Sequence, residues 1–282
     1  MAERKDLIRL AVFGTPVTHS LSPSIHRQFG QQCGIGIDYQ AIETAAGNLA
    51  RSAAAFADAG GAGCNVTIPL KHEAWELAQE RSPAAERAQA ANTLLFRGRQ
   101  DWLADNTDGR GLLRDLARCL AHGQGRPLTG SRILIAGAGG AVAGILGDLL
   151  DQEPAMIVIS NRNPGRAADL ARRFSSFGAV SSCAADALAQ QGEFDLVINA
   201  TPLGHSGHVP DLPASLFSSS GFCYDLNYGQ AASPLRTYCS ARGIDYQDGL
   251  GMLVEQAAIS FALWTGSSPE TQAVLQRLRL AA

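Results

Sequence analysis

Hydrophobic positions along the chain fall into short continuous runs, separated by segments in which apolar residues recur every three or four positions. The runs read as buried strands. In the first part these are RLAVF (9–13), IDYQAI (37–42), GCNVTI (63–68) and TLLF (93–96). The segments between them read as helices: 22–34, with Ser22 expected at the N-cap, Pro23 in the first turn and Gly34 at the stop; 47–61, closed by glycines; and 82–91, opened by Ser82 and Pro83. A helix over 109–123 leads to a Gly/Pro-rich connector at 122–131. Beyond it RILIAG (132–137), MIVIS (156–160), DLVINA (195–200) and FCYDL (222–226) repeat the strand pattern, with a helix over 141–151. Helical spacing returns at 251–266 and 268–280. Strands alternating with helices predict an α/β chain with largely parallel sheets.

The length, 282 residues, suits two domains. With 46% hydrophobic and 17% charged residues the chain is globular, and a net charge of −3 gives no basic field for nucleic acid or a membrane surface. No apolar run approaches the roughly 20 residues of a membrane span. The opening MAERKDLIRLAVFG lacks the apolar core of a signal peptide. Six scattered cysteines without a CxxC pair read as reduced thiols, so a cytoplasmic protein is expected. His205 and His208 are spaced like metal ligands, but their Gly/Ser/Pro-rich surroundings offer no further ligand; no metal is expected.

Two regions carry chemistry. Gly137, Gly139 and Gly140 lie between an expected strand and an expected helix, where a tight turn, close backbone approach and free helix N–H groups suit a pyrophosphate. Val142 stands where the third glycine of the common pattern falls, so the turn is a variant. The next strand ends in SNRNPGR (160–166), with Asn161 and Arg162 where an NAD site usually carries an acid, and Arg166 close behind. Arginine suits a 2′-phosphate, which points to NADP. The second region is a set of polar residues at strand ends: Ser20 and Ser22, Thr67 and Lys71 of NVTIPLK (65–71), Asn92 of ANT, and Asp108 of DNTDG. In open α/β sheets the ligand crevice lies at such ends, so these residues are expected to converge on a small polar molecule, with Lys71 ending an apolar strand in that cleft.

The motifs HSLSPSIH, NVTIPLK, AANT, DNTDG, GAGGA, NRN, INATPLG and DGLGMLVEQA, in this order over almost the whole chain, resemble those of the shikimate dehydrogenase family. The resemblance implies a two-domain α/β protein. An N-terminal substrate domain (1–108, completed by helices in 250–282) would flank a Rossmann-like NADP-binding domain (109–249). It implies reversible reduction of 3-dehydroshikimate to shikimate by NADPH, within aromatic amino-acid biosynthesis. Lys71 and Asp108 match the family's catalytic pair; Ser20 and Ser22 match its carboxylate hydroxyls. Thr67, Asn92, Tyr228 and Gln256 match other substrate contacts. Gly137, Ala138, Gly139, Gly140, Ala141, Asn161, Arg162, Asn163, Arg166, Ala200, Thr201, Gly249 and Met252 match cofactor positions. The usual NRT is NRN here, with Asn163 in place of threonine, and NYGQAASPL (227–235) departs from the family around Tyr228. The partners implied are the small substrate and the dinucleotide, with a monomer or homodimer equally open. A quinate/shikimate enzyme with broader substrate or NAD use is the alternative. A non-catalytic sensor on the same fold would usually lack one of the catalytic pair, whereas both are present.

Overall fold

The computed structural model describes residues 7–99, 101–123 and 127–281. The chain divides into two compact units, one made of Met1–Gly111 and Val254–Ala282, the other of Leu112–Leu253. Parts of the N-terminal segment and of the 122–131 connector lie outside the described residues.

The first unit is built on a mixed sheet. Its strands are β1 (Ile8–Gly14), β2 (Ile37–Glu43), β3 (Gly61–Val66), β4 (Glu80–Arg81), β5 (Thr93–Gly98) and β6 (Asp101–Asp105), in the order β2-β1-β3-β5-β6-β4. β1 pairs in parallel with β2 and β3, whereas β5 runs antiparallel to both β3 and β6. Within this sheet the largely parallel expectation holds for β1–β3 and for the β4–β6 pair, and fails at β5. The β5–β6 pair departs from it because so short a connection, from Gly98 to Asp101, can join antiparallel strands only.

Strand periodicity sorts the core. Alternate residues of β1 face opposite sides: Ala11 and Phe13 pack with Leu49, Ala53 and Phe56, while Leu10 and Val12 pack with Val17 and Tyr39. The helices of this unit are α1 (Ser22–Cys33), α2 (Leu49–Asp58), α3 (Lys71–Leu77) and α4 (Pro83–Ala88), plus most of α9 (Leu250–Thr265) and α10 (Thr271–Ala281). Two helix ends correct the sequence reading. Leu21 rather than Ser22 is the α1 N-cap, and Ser22 is the first helical residue, buried. α4 stops at Ala88, where Gln89 turns left-handed (φ 46°), and Ser82 caps its start by accepting from the Ala85 N–H (3.1 Å).

The second unit carries β7 (Arg132–Ala136), β8 (Met156–Asn161), β9 (Val180–Ala184), β10 (Phe194–Asn199), β11 (Phe217–Asp225) and β12 (Asp245–Asp248), all parallel, in the order β12-β11-β10-β7-β8-β9. Its helices are α6 (Gly140–Leu150), α7 (Pro164–Phe174), α8 (Ser233–Ser240) and most of α5 (Asp108–Ala121). The two sheet faces again separate by alternation, Ile133, Ile135, Ile157 and Ile159 on one side and Leu134, Ala136 and Val158 on the other. β9 and β12 have no counterpart in the hydrophobic pattern. Both are edge strands, half solvated and polar, and an edge needs no apolar run. No described helix is long and apolar enough to cross a membrane.

Candidate active site

Lys71 does not end a strand. β3 stops at Val66, Thr67 to Leu70 form a turn closed by the Leu70 N–H on the Thr67 carbonyl (2.9 Å), and Lys71 opens α3. The turn is tied to β1 by the Thr67 N–H on the Phe13 carbonyl (2.9 Å), so the lysine still stands at the carboxyl end of the sheet. Asp108 opens α5 just beyond β6. Its Oδ2 accepts a hydrogen bond from Lys71 Nζ, and the two side chains are 7% and 16% exposed. A buried charge pair of this kind is stable only when the remaining polar atoms are also satisfied.

Asn92 meets that need. Its Nδ2 donates to Asp108 Oδ1 (2.7 Å) and to Gln256 Oε1 (3.1 Å), while its Oδ1 accepts the Thr107 backbone N–H (2.9 Å). The backbone donor sets which way the amide faces. The two oxygens of Asp108 are thus divided between Asn92 and Lys71, and one edge of the lysine ammonium remains for a ligand. Ser20 and Ser22 lie at the end of the β1–α1 loop, with Ser20 Oγ accepting the Ser22 N–H (3.2 Å). Glu43 holds that loop by accepting from the Thr15 hydroxyl and the Val17 N–H (3.1 Å), bonds that keep its carboxyl below the usual range. The carboxyl ends of β1, β3 and β6 and the amino end of β5 thereby collect Ser20, Ser22, Thr67, Lys71, Asn92 and Asp108, joined by Gln256 from α9. Tyr228 lies in the second unit, half-buried, with burial raising its phenol pKa.

In the second unit the strand order places β7 and β10 side by side where the winding reverses, the switch point at which such sheets bind ligands. Gly137 sits there with φ +126°, donating its N–H to the Ser160 carbonyl (2.7 Å), and a Cβ on it would stand 2.9 Å from the Ala200 carbonyl oxygen. Nothing lies within 4 Å of a Cβ built on Gly139, so the N-terminus of α6 faces open space. Ala138 and Ala141 are half-buried beside it. Thr201 is held by Asn199, through its N–H (3.0 Å) and hydroxyl (2.8 Å), and Asn199 in turn donates to Asp225 (2.9 Å), whose carboxyl burial pushes up. Gly249 donates to the Asn227 carbonyl (2.9 Å), and Met252 is buried in the first turn of α9.

At the β8–α7 junction Asn161 Nδ2 donates to the Asn163 carbonyl (3.0 Å). Asn163 caps α7, its Oδ1 accepting the Arg166 N–H (3.4 Å). Arg162 precedes the helix while Arg166 lies in its first turn, so helical i,i+4 spacing does not relate them. Both are exposed, and no ion pair engages either among the described residues. A glycine turn at the switch point, an open helix N-terminus and two uncommitted guanidiniums fit a dinucleotide with a 2′-phosphate. His205 and His208 are exposed, and no group of three potential metal ligands occurs among the described residues.

The sequence reading gave no role to Tyr39, Asn65, Thr93, Thr107 and Ser260. All five are buried. The available signal was polar residues inside otherwise apolar strands and on the buried face of an apolar helix.

Strand order and glycine turn place the second unit among the dinucleotide-binding folds, and a lysine–aspartate pair in a separate α/β unit suits proton transfer to a substrate held there. Three family models match: shikimate dehydrogenase substrate binding domain over residues 12–94, shikimate/quinate 5-dehydrogenase over 119–206, and shikimate 5′-dehydrogenase C-terminal domain over 249–279. The shikimate dehydrogenase (NADP(+)) of Hahella chejuensis is 46% identical over 271 residues, which cover 95% of this chain and 97% of that one. Among solved structures, the Ael1 enzyme from Pseudomonas putida superposes with a TM-score of 0.86 at 39% identity, over 96% of this chain and 98% of that one. The shikimate 5-dehydrogenase of Thermus thermophilus, in complex with NADP(H) and shikimate, gives 0.84 at 32% identity, over 98% and 100%. The chain belongs to the shikimate dehydrogenase family.

Proposed function

We propose that the protein catalyses the reversible NADPH-dependent reduction of 3-dehydroshikimate to shikimate, on the route to aromatic amino acids. The observation that carries this reading is the Lys71–Asp108 pair, buried at the sheet's carboxyl end with Asn92 locking the carboxylate. The dinucleotide supplies the hydride when bound. Lys71 Nζ hydrogen-bonds the ketone oxygen and donates the proton that completes the hydroxyl; in the oxidative direction the neutral amine takes it back. Asp108 holds Nζ in place, and Ser20 and Ser22 offer hydroxyl donors to the substrate carboxylate. Thr67, Asn92 and Gln256 fix the ring, and Tyr228 serves the carboxylate end. Gly137 to Ala141 take the pyrophosphate, Arg162 and Arg166 take the 2′-phosphate, and Asn161 and Asn163 shape the loop that carries them. Ala200, Thr201, Gly249 and Met252 line the nicotinamide side. Residues 1–108 with the C-terminal helices make the substrate domain and 109–249 the NADP domain. The protein works in the cytoplasm, as a monomer or homodimer, in keeping with six free cysteines.

The test is the near-ultraviolet absorbance of NADPH, followed with shikimate or quinate against NADP or NAD. Turnover with shikimate and NADP is expected. Turnover confined to quinate with NAD would overturn the assignment.

A further inference from the structure

Behind the proposed substrate site lies a set of polar side chains that the proton transfer does not use. Tyr39, Asn65, Thr93 and Ser260 are 2%, 6%, 0% and 0% exposed. They come from four separate elements, β2, β3, β5 and α9. Burying such groups is unfavourable unless every donor and acceptor is used. Here one assignment of the hydroxyl protons uses them all in sequence. Tyr39 donates to Asn65 Oδ1 (2.7 Å). Asn65 Nδ2 donates to the Asn92 carbonyl (3.0 Å) and, with its second hydrogen, to Ser260 Oγ (3.1 Å). Ser260 donates to Thr93 Oγ1 (2.7 Å), and Thr93 donates to Asn92 Oδ1 (2.9 Å). Asn92 Nδ2 then donates to Asp108, which receives Lys71 from the other side.

The direction of the array matters. Asn92 Oδ1 is held toward Thr93 and Thr107, which turns its Nδ2 toward Asp108. A rotated amide would set its oxygen against the carboxylate, and the lysine would lose its fixed partner. The array also runs from Tyr39 in β2 to Asp108, at the reacting end of the proposed site. The spacing between the two ends is therefore set by a chain of buried hydrogen bonds rather than by loops.

We propose that Thr93 and Ser260, with Tyr39 and Asn65 behind them, are positioning residues that orient the Asn92 amide and so hold Asp108 and Lys71 in reacting geometry. The proposal rests on the reading of Lys71 as the proton donor. A misplacement of about 1 Å from outside the reacting centre can cost about 10²-fold in rate. Threonine hydroxyls and serine hydroxyls in such an array polarise one another, so removing one weakens its neighbours.

The experiment compares Thr93→Val, Thr93→Ser, Ser260→Ala and Tyr39→Phe in the intact protein. It measures kcat and KM for shikimate, KM for NADP, the pH dependence of kcat, and thermal stability. Thr93→Val keeps the side-chain shape and is expected to lower kcat about 10²-fold and displace the pH profile, with KM for NADP unchanged. Thr93→Ser restores the hydroxyl and is expected to return most of the rate. Tyr39→Phe removes only the phenol oxygen and keeps the ring stacked on His26 (4.4 Å between centroids), and is expected to lower kcat by less than Thr93→Val, because it acts through Asn65. Wild-type kcat and pH profile in Thr93→Val overturn the proposal, as does equal impairment of the Val and Ser variants in proportion to lost folded protein. Should Thr93→Val fail to fold, Ser260→Ala decides by the same criteria. Lys71→Ala in the same assay separates the two layers. If it keeps its kcat, the proton-donor reading fails and this proposal with it; if it is dead while Thr93→Val and Ser260→Ala are normal, only the proposal fails.

Discussion

The two units prepare their halves of the chemistry in opposite ways. In the first, the proposed reacting pair stands on buried side chains: Asp108 is gripped by Asn92, and Asn92 by a polar array threaded between strands and α9. In the second, the cofactor turn is made by backbone. Gly137 is placed by its φ and by the Ala200 carbonyl, Gly139 by the space before it, and α6 by its free N–H groups. The side chains that would read the cofactor, Arg162 and Arg166, stand exposed on the rim. Dehydrogenation explains the contrast. The proton must move across one fixed short distance, which demands a rigid donor, whereas a dinucleotide is recognised over a long surface by many weak contacts. Substitutions in the first unit should therefore act on kcat, and those in the second on cofactor KM.

The largest effect tests the first half of that contrast. Lys71→Ala is expected to lower kcat by about 10²–10⁴-fold, the usual contribution of a positioned proton donor, with KM for shikimate and NADP changed far less. Steady-state kinetics in both directions check it. Equal loss in kcat and in NADP binding would mean that the lysine serves the cofactor and would erase the distinction between the units.

Next comes the rim. Replacing Arg162 and Arg166 together by neutral residues removes charge-assisted bonds worth about 1.5–3 kcal/mol each, so KM for NADP is expected to rise by about 10²-fold or more. KM for NAD should hardly change, because only NADP carries the 2′-phosphate, and kcat at saturating NADP should survive. A variant that loses both cofactors equally would show the arginines shaping the loop and leave the phosphate unread. Ser22→Ala is a smaller step. Losing one hydroxyl donor to a carboxylate should raise KM for shikimate by about tenfold, roughly 1.4 kcal/mol, with KM for NADP unmoved. Unchanged shikimate KM would move the carboxylate elsewhere.

The same contrast governs what the chain disclosed as a sequence. Backbone devices leave strong local marks: the glycines at 137, 139 and 140 announce a turn because few other residues suit that backbone. Lys71, Asn92 and Asp108 stood out as candidates because polar side chains flanking apolar runs are few. The buried array was not legible. Thr93 and Ser260 are single hydroxyls within apolar surroundings, and only tertiary pairing, across 167 positions, gives them partners. Lys71 was misplaced by the same limit. The pattern shows where apolar residues stop, but the turn at Thr67–Leu70 and the start of α3 depend on contacts with β1. Edge strands β9 and β12 escaped because solvent covers part of each.

The smallest effect at neutral pH, and the one that separates the units most cleanly, is acid sensitivity. His26 in α1 is fully buried, stacked on Tyr39 with Phe29, Phe261 and Trp264 around it. Burial lowers its pKa from 6.5 to about 3, with Asn65 opposing in part. In the unfolded chain the ring takes a proton near pH 6.5; in the folded unit it stays neutral until about pH 3. Between those values the unfolded state binds more protons, so stability falls as pH falls, by up to about 1.4 kcal/mol per pH unit. Glu43, with its pKa held down by the Thr15 and Val17 bonds, acts in the same direction at lower pH. Asp225 in the second unit has the opposite sign. Burial raises its pKa, so the folded state binds the extra proton first and that unit gains stability as pH falls through the raised value. Acidification from pH 7 toward pH 4 should therefore loosen α1 and β2 before the second sheet. Hydrogen exchange, corrected for intrinsic pH dependence, would show protection lost first in peptides from the first unit. His26→Phe fills the same aromatic site without a titrating group, and should keep more of that protection at low pH while changing little at pH 7. Parallel loss in both units, or a variant whose acid profile matches wild type, would show that His26 does not set the difference.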